Sequence, residues 1–241
     1  MKKTNNIFHI PSLTTAQALL ALAAEGERLK VQNEQMVEMV LRTMLKALDC
    51  KDHYTFGHSM RVAYFSLVTG RELGLSDEEL KELELSAIFH DIGKIGTPDQ
   101  VLNKPSRLTE EEFQIMKQHP EHSYEILKEY PMLEKIGRNA RYHHERYDGR
   151  GYPEGMKGED IPLLSRIILI ADTFDAMTST RPYRKGLDYS VAFEELEQFA
   201  GTQFDPKCVA AFVEGMRKEA LKNEDDFLIP ILAQKFTKNA A

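Results

Sequence analysis

Apolar positions recur along this chain at helical spacing nearly from end to end. Val37, Leu41, Met44 and Leu48 follow one another at intervals of four, three and four, which lines one face of a helix. Thr14 with Gln17 resembles a capping box, so a lead helix is predicted from there to about Asp49, with Gly26 as a point of interruption. A second helix is expected over about Gly57 to Leu73, ended by Gly74. Ser76 with Glu79 caps a third that carries Leu80, Leu83 and Ala87 and finishes at His90-Asp91. Thr109 with Glu112 opens another, and Pro120 in a first helical position places His119 at a helix entrance. Leu133, Ile136, Ala140 and His143 share a helical face, whereas Asp148 to Gly158, rich in glycine and proline, reads as an irregular loop. Leu163 to Thr178 has helical length, and two amphipathic helices follow, one near Ser190 to Phe199 and one opened by Pro206. The acidic runs Asp77-Glu78-Glu79 and Glu110-Glu111-Glu112 complement the dipoles of the helices they open. No segment alternates with period two, so the expected fold class is all-α.

Composition narrows the picture without pointing to a chemistry. With 241 residues, 42% of them hydrophobic and 29% charged, the chain can bury a full core. The expected division is a helical extension over residues 1–36 and a main domain over residues 37–241. The extension fits a dimerisation helix, a linker or a lid, and its pattern does not choose among them; a homodimer through this helix is one expectation. A net charge of -7 disfavours a nucleic-acid polymer as the main partner, although a local basic pocket can still hold phosphates. Cys50 and Cys208 form no disulfide or metal framework, which suits a reducing cytoplasm. The longest apolar run, Ala18 to Ala24, is too short to span a bilayer. Met1-Lys2-Lys3 ahead of it faintly resembles a signal peptide, but Asn5-Asn6, Pro11 and Thr14-Thr15 interrupt the pattern, and the expected location is cytoplasmic.

Candidate chemistry lies in the middle of the chain. His58, His90-Asp91, His119, His143-His144 and Asp172 offer imidazoles and carboxylates with no thiolate among them. That donor set suits first-row metals and a hydrolytic water better than a structural zinc site. Adjacent helical residues point about 100° apart, so His143 and His144 serve two neighbouring ions more naturally than one. Asp91, directly after His90, could bridge two ions through its two oxygens. Paired metals about 3.5–4 Å apart can share a deprotonated water and stabilise an in-line phosphoryl displacement, so phosphoester hydrolysis is the natural reaction.

His90-Asp91-Ile92-Gly93-Lys94, together with Asp148-Gly149-Arg150-Gly151-Tyr152-Pro153, resembles the HD-GYP branch of the HD phosphohydrolase superfamily. Gly57-His58-Ser59-Met60-Arg61-Val62, His119-Pro120 and Ala171-Asp172-Thr173-Phe174-Asp175-Ala176-Met177-Thr178 extend the resemblance from about Leu45 to Phe204. A bare His-Asp pair would carry no weight; several distant motifs in order do. The resemblance implies an HD-domain helical bundle behind the lead helix, with a phosphodiesterase activity that opens cyclic di-GMP to linear pGpG. It implies two or sometimes three metals per chain, commonly iron or manganese, held by His58, His90, Asp91, His119, His143, His144 and Asp172, with Asp91 bridging. Lys94 would touch a phosphate oxygen or the attacking water. Arg181 and Arg184 would hold the phosphates, which suits guanidinium geometry on its own. Gly151 and Tyr152 would shape the loop beside the substrate, and the same loop would contact diguanylate cyclase domains.

Three departures qualify the match. Tyr54 stands one turn before His58, where three-metal members have glutamate; a phenol with an ordinary pKa of about 10 is a poor ligand for a hard cation, so two ions and pGpG are expected. Ser123 replaces a common glycine after His119-Pro120, read as a minor packing change, and Tyr147 replaces a common tryptophan. His9, His53 and His122 fall outside the motifs and read as surface or satisfied histidines, and Asp175 as a carboxylate that orients a ligand. Two alternatives accompany the main reading. One keeps the site and changes the substrate to another cyclic dinucleotide such as cyclic GMP-AMP; the other is a cyclic-dinucleotide sensor and docking module with vestigial catalysis.

Overall fold

The computed structural model of the chain describes residues 12–51, 55–180 and 185–220. Every regular element among them is a helix, and their β structure amounts to an isolated bridge between Ala200 and Phe204. The chain divides into two compact units, Met1–Lys46 and Ala47–Ala241. Most of α1 (Ser12–Lys51) belongs to the first. It begins ahead of Thr14, which therefore sits inside the helix, and it continues through Gly26. An interior glycine costs only about 1 kcal/mol relative to alanine, and the surrounding run of Ala, Leu, Glu, Gln and Lys outweighs that. No helix among the described residues is long and apolar enough to cross a membrane.

In the second unit, α2 (Thr55–Glu72) packs against α3 (Asp77–Phe89) and, further along the chain, against α8 (Leu163–Thr178) and α10 (Pro206–Ala220). After α3 come the 3-10 turn Ile92–Gly96, the short α4 (Asp99–Leu102) and α5 (Glu110–Met116). Next, α6 (His119–Leu127) packs against both that 3-10 turn and α7 (Glu134–Arg141), while α9 (Tyr189–Gln198) lies against α8 and α10. Ser76 and Thr109 each form the predicted reciprocal capping box, with Glu79 and Glu112. Each cap is worth about 1 kcal/mol and fixes where its helix starts. Gly74 ends α2 with a φ of 75°, a conformation that costs a side-chain-bearing residue energy.

The apolar faces of α2, α8, α9 and α10 meet in an aromatic core. Phe174 lies 5.1 Å from Phe65 and 4.8 Å from Phe212 in edge-on contacts, and it stacks on Phe193 at 5.2 Å. Phe174 and Phe212 are fully buried. Each buried phenylalanine contributes about 2–3 kcal/mol, and together they hold α2 and α8 side by side. That pairing places His58, in the first turns of α2, beside Asp172, midway along α8.

Candidate metal centre

Local structure sets every proposed donor at or near the end of an element, apart from Asp172. His90 is the residue that closes α3, Asp91 enters the 3-10 turn, His119 opens α6, and His143-His144 lie in the turn after α7. His58, His90, Asp91, His119 and His143 are buried, and His144 and Asp172 are partly exposed. Residues spread over more than a hundred positions of sequence therefore converge on one point.

Asp91 is the centre of that convergence. Its Oδ2 lies 3.3 Å from His90 Nε2 and 3.9 Å from His58 Nε2, while its Oδ1 lies 3.2 Å from His119 Nε2 and 3.9 Å from His143 Nε2. Asp172 Oδ1 is 3.2 Å from His58 Nε2. Three donor groups have ligand atoms within 4.8 Å of one another and could hold a metal ion: His58, His90 and Asp172; His90, Asp91 and His143; His119, His143 and His144. All seven predicted donors occur among them.

The ring orientations follow from hydrogen bonds on the far side of each imidazole. Nδ1 of His90, His119 and His143 lies 2.7, 2.7 and 2.6 Å from the carbonyl oxygens of Ala87, Met116 and Ala140, three residues earlier in each case. A carbonyl only accepts, so each Nδ1 donates and each Nε2 keeps its lone pair for the cluster. The lone pairs of His90 and His119 thus face carboxylate oxygens, acceptor against acceptor. His90 Nε2 is buried with no hydrogen-bond partner. A buried acceptor facing another acceptor is costly without a cation or a proton between them, and neutral imidazoles with carboxylates are the donors that iron, manganese and zinc accept. The residues fit a metal.

Charge states at four of the donors agree with that fit; at His58 two carboxylates hold a proton that a metal would have to displace. Burial, then the neighbouring histidines, holds His143 well below its ordinary pKa, and burial with His119 pulls His144 down to about 3, so both stay neutral. Burial alone would raise Asp91, but the charge of Lys94 beside it opposes that and the carboxylate lies well below its ordinary range. Asp172 is likewise held low, mainly by His58 against the opposing effect of burial. His58 resists the downward pull of its own burial and is pushed up to about 10 by Asp172 and Asp175. Lys94 Nζ sits 2.5 Å from Asp91 Oδ2, which puts a positive charge at the edge of the cluster.

A second layer of residues fixes the donors, and sequence reasoning caught only part of it. Asp175 accepts from His58 Nδ1 at 2.7 Å, as its predicted orienting role requires. It also accepts from Arg61 Nε at 2.5 Å and Arg61 Nη2 at 3.0 Å. Arg61 was missed, and its position one turn after His58 in the same motif is the signal that could have found it. Ser123 is more than a packing change: its buried hydroxyl accepts from Gly93 N and lies 2.9 Å from the carbonyl oxygens of both His90 and His119. It ties the 3-10 turn to α6. His122 belongs to none of the donor groups, and its Nδ1 is buried against Gly96.

The Gly-Tyr-Pro loop folds back on the cluster. Tyr152 stacks on His144 with ring centroids 4.8 Å apart and planes 29° from parallel, and its backbone N–H donates to His144 O. Gly151 has no room for a side chain, since a Cβ there would lie 2.3 Å from Arg146 N and 2.5 Å from His144 O. Buried Glu145 accepts the N–H groups of Glu154 and Gly155, and Arg146 pairs with Asp148 at 2.8 Å. One face of Tyr152 is therefore occupied by a proposed ligand. Arg181, Arg184, Tyr54, His53 and His9 lie outside the described residues.

The chain is similar to several known proteins. A family model described as "HD domain" matches residues 33–208. The cyclic di-GMP phosphodiesterase response regulator RpfG of Xanthomonas campestris is 37% identical over 217 residues, covering 88% of this chain and 57% of that protein. The 3'3'-cGAMP-specific phosphodiesterase 3 of Vibrio cholerae is 36% identical over 211 residues, covering 88% of this chain and 44% of that protein. Among solved structures, the HD domain of the L. monocytogenes phosphodiesterase PgpH in complex with cyclic-di-AMP shares the fold. Its TM-score is 0.53 at 22% identity, and the match covers 75% of this chain and 98% of that one. The chain spans about half the length of the curated relatives it matches.

Proposed function

This chain belongs to the HD domain family, and we propose that it is a metal-dependent phosphodiesterase that hydrolyses cyclic di-GMP to linear pGpG. The observation that carries the reading is the pair of imidazole sets facing the two oxygens of Asp91. His58, His90, Asp91 and Asp172 would hold one divalent ion, and Asp91, His119, His143 and His144 a second, with Asp91 shared. Iron or manganese in these positions would supply Lewis-acid stabilisation of the phosphate and an acidified water.

The chain's own residues do the remaining work. Lys94, held at Asp91, presents its ammonium to a non-bridging phosphate oxygen and offsets charge as the diester opens. Asp175 orients His58, and Arg61 holds Asp175 in place. Tyr152 and Gly151 hold the loop against His144. Arg181 and Arg184 are proposed to clamp the phosphates. The two-ion assignment follows from Tyr54 and predicts that pGpG accumulates ahead of GMP.

Anaerobically metal-loaded protein, incubated with cyclic di-GMP and followed by chromatography, tests the reading. Asp91→Ala and His90→Ala should abolish turnover and lower bound metal while circular dichroism stays helical. Wild-type-like turnover in either variant overturns the mechanism. A second reading, cyclic GMP-AMP as substrate, is favoured by the Vibrio relative's 36% identity, because the cluster reads metals and phosphates rather than bases. Parallel turnover on both dinucleotides decides between them. Tight nucleotide binding without turnover under any metal would instead favour a sensor. For assembly we favour a homodimer in a cytoplasmic setting: Leu22, Leu29 and Met36 of α1 are exposed at seven-residue spacing and so fall on one side of the helix. Sedimentation of wild type against Leu29→Glu tests it, and an identical mass for both refutes it.

A further inference from the structure

Phe113, on α5, keeps 39% of its surface exposed. Its helix, which opens on the Thr109–Glu112 capping box, buries no residue, so Phe113 does not fill a core. Its ring faces Tyr152 instead, with centroids 6.5 Å apart and planes 80° from parallel. Lys117 Nζ lies over both rings, 4.7 Å from Phe113 and 5.6 Å from Tyr152. Tyr152 in turn stacks on His144, so a line of rings runs from the wall of the proposed metal cluster outward to an exposed aromatic with an ammonium over one face.

That arrangement has the chemistry of a nucleobase site. An exposed aromatic offers a stacking face to any base. The ammonium adds selectivity, because guanine turns two acceptors, O6 and N7, to a lysine where adenine turns an acceptor and a donor. A nucleotide whose phosphate sits at the cluster would carry its base outward past Tyr152. We propose that Phe113 and Lys117 form the subsite for one purine of the substrate and favour guanine over adenine there. The proposal rests on the cyclic-dinucleotide reading above and assigns a base-recognition role to α5.

The test uses the metal-loaded full chain with wild type, Phe113→Ala, Phe113→Trp and Lys117→Gln. Phe113→Ala should raise KM for cyclic di-GMP by about 5- to 100-fold, the range expected for one lost stacking contact, with kcat and bound metal nearly unchanged. Phe113→Trp should restore KM. Lys117→Gln should narrow the kcat/KM preference for cyclic di-GMP over cyclic di-AMP by about 10-fold. Unchanged KM in Phe113→Ala overturns the proposal. So does a fall in kcat together with lost metal, which would mean that α5 only braces Tyr152 and His144. If wild type cleaves no cyclic dinucleotide, the phosphodiesterase reading fails. The subsite is then judged by calorimetry with GMP, where weaker binding to Phe113→Ala than to wild type supports it and equal binding refutes it.

Discussion

Gly93→Ala should be among the most damaging single-atom changes available to this protein. A Cβ at position 93 would lie 2.0 Å from His119 O, 2.4 Å from Ser123 N and 2.8 Å from Ser123 Oγ. Two of these are backbone atoms of α6 and cannot rotate away. Reaching an ordinary 3.4 Å contact requires the 3-10 turn and α6 to part by about 1.4 Å. In a close-packed interior such overpacking costs about 1–3 kcal/mol. The same movement breaks the 2.9 Å bond from Gly93 N to the buried Ser123 hydroxyl, worth about another 1–3 kcal/mol if the donor is left without a partner. The expected loss of about 2–6 kcal/mol is a large part of the roughly 5–15 kcal/mol available to a folded domain. It also draws Asp91 away from His119, now 3.2 Å apart, so metal retention should fall with stability. Urea denaturation of Gly93→Ala and Ser123→Ala, with metal content measured on each, reads both effects. Ser123→Ala removes the hydroxyl without the clash and should cost about 1–2 kcal/mol, which keeps the reasoning testable if Gly93→Ala does not fold. A loss below about 1 kcal/mol in Gly93→Ala, with full metal content, would refute it.

Further outcomes follow from the same geometry. Asp175→Asn removes the anion that orients His58 and pairs with Arg61, and should weaken metal binding by about 10- to 100-fold; unchanged metal after dialysis would contradict that. Stripping the metal-loaded protein with a chelator should lower Tm by about 5–10 °C, from roughly 2.7 kcal/mol of binding stabilisation in a chain of this size, and re-addition should restore it. Arg146 holds Asp148 at a pKa of about 2, below its ordinary 3.8. A folded-state pKa below the unfolded one stabilises at higher pH and loses that contribution as pH falls from about 4 through 2. Asp148→Asn should therefore cost about 0.5–1 kcal/mol at neutral pH, discounted for solvent screening, and a shrinking amount below pH 4; a constant difference would exclude the pair as the cause.

Local signals gave different returns in different parts of the chain. Ser76 with Glu79 and Thr109 with Glu112 marked true helix starts because each acidic side chain closes its box onto the cap's own backbone N–H. Thr14 with Gln17 did not, since the helix already runs from Ser12 and a polar pair inside a strong helix former leaves no end to cap. The short turns Ile92–Gly96 and Asp99–Leu102 escaped prediction because four or five residues carry too little periodicity to read.

The donor cluster was legible for a different reason. A metal ligand must be one of a few residue types, and these recur in ordered motifs, so seven positions could be picked out of sequence without any knowledge of distance. The groups that aim them obey no such restriction. Three imidazoles are oriented by the backbone carbonyl three residues earlier, which any residue type supplies. Ser123 reaches Gly93 and His90 across about thirty residues of chain, and Phe113 meets Tyr152 only because α5 returns to the Gly-Tyr-Pro loop. Their roles depend on packing rather than on residue type. Serine at 123 looked like a neutral replacement for glycine because the sequence does not show that Gly93 N and two ligand-bearing carbonyls converge on it. The same logic bears on substrate preference. On the proposed reading, phosphate and metal recognition is written in motif residues, whereas base recognition would fall to Phe113 and Lys117, whose type is ordinary and whose position is not. Homologous chains with the same seven donors can therefore differ in the dinucleotide they cleave.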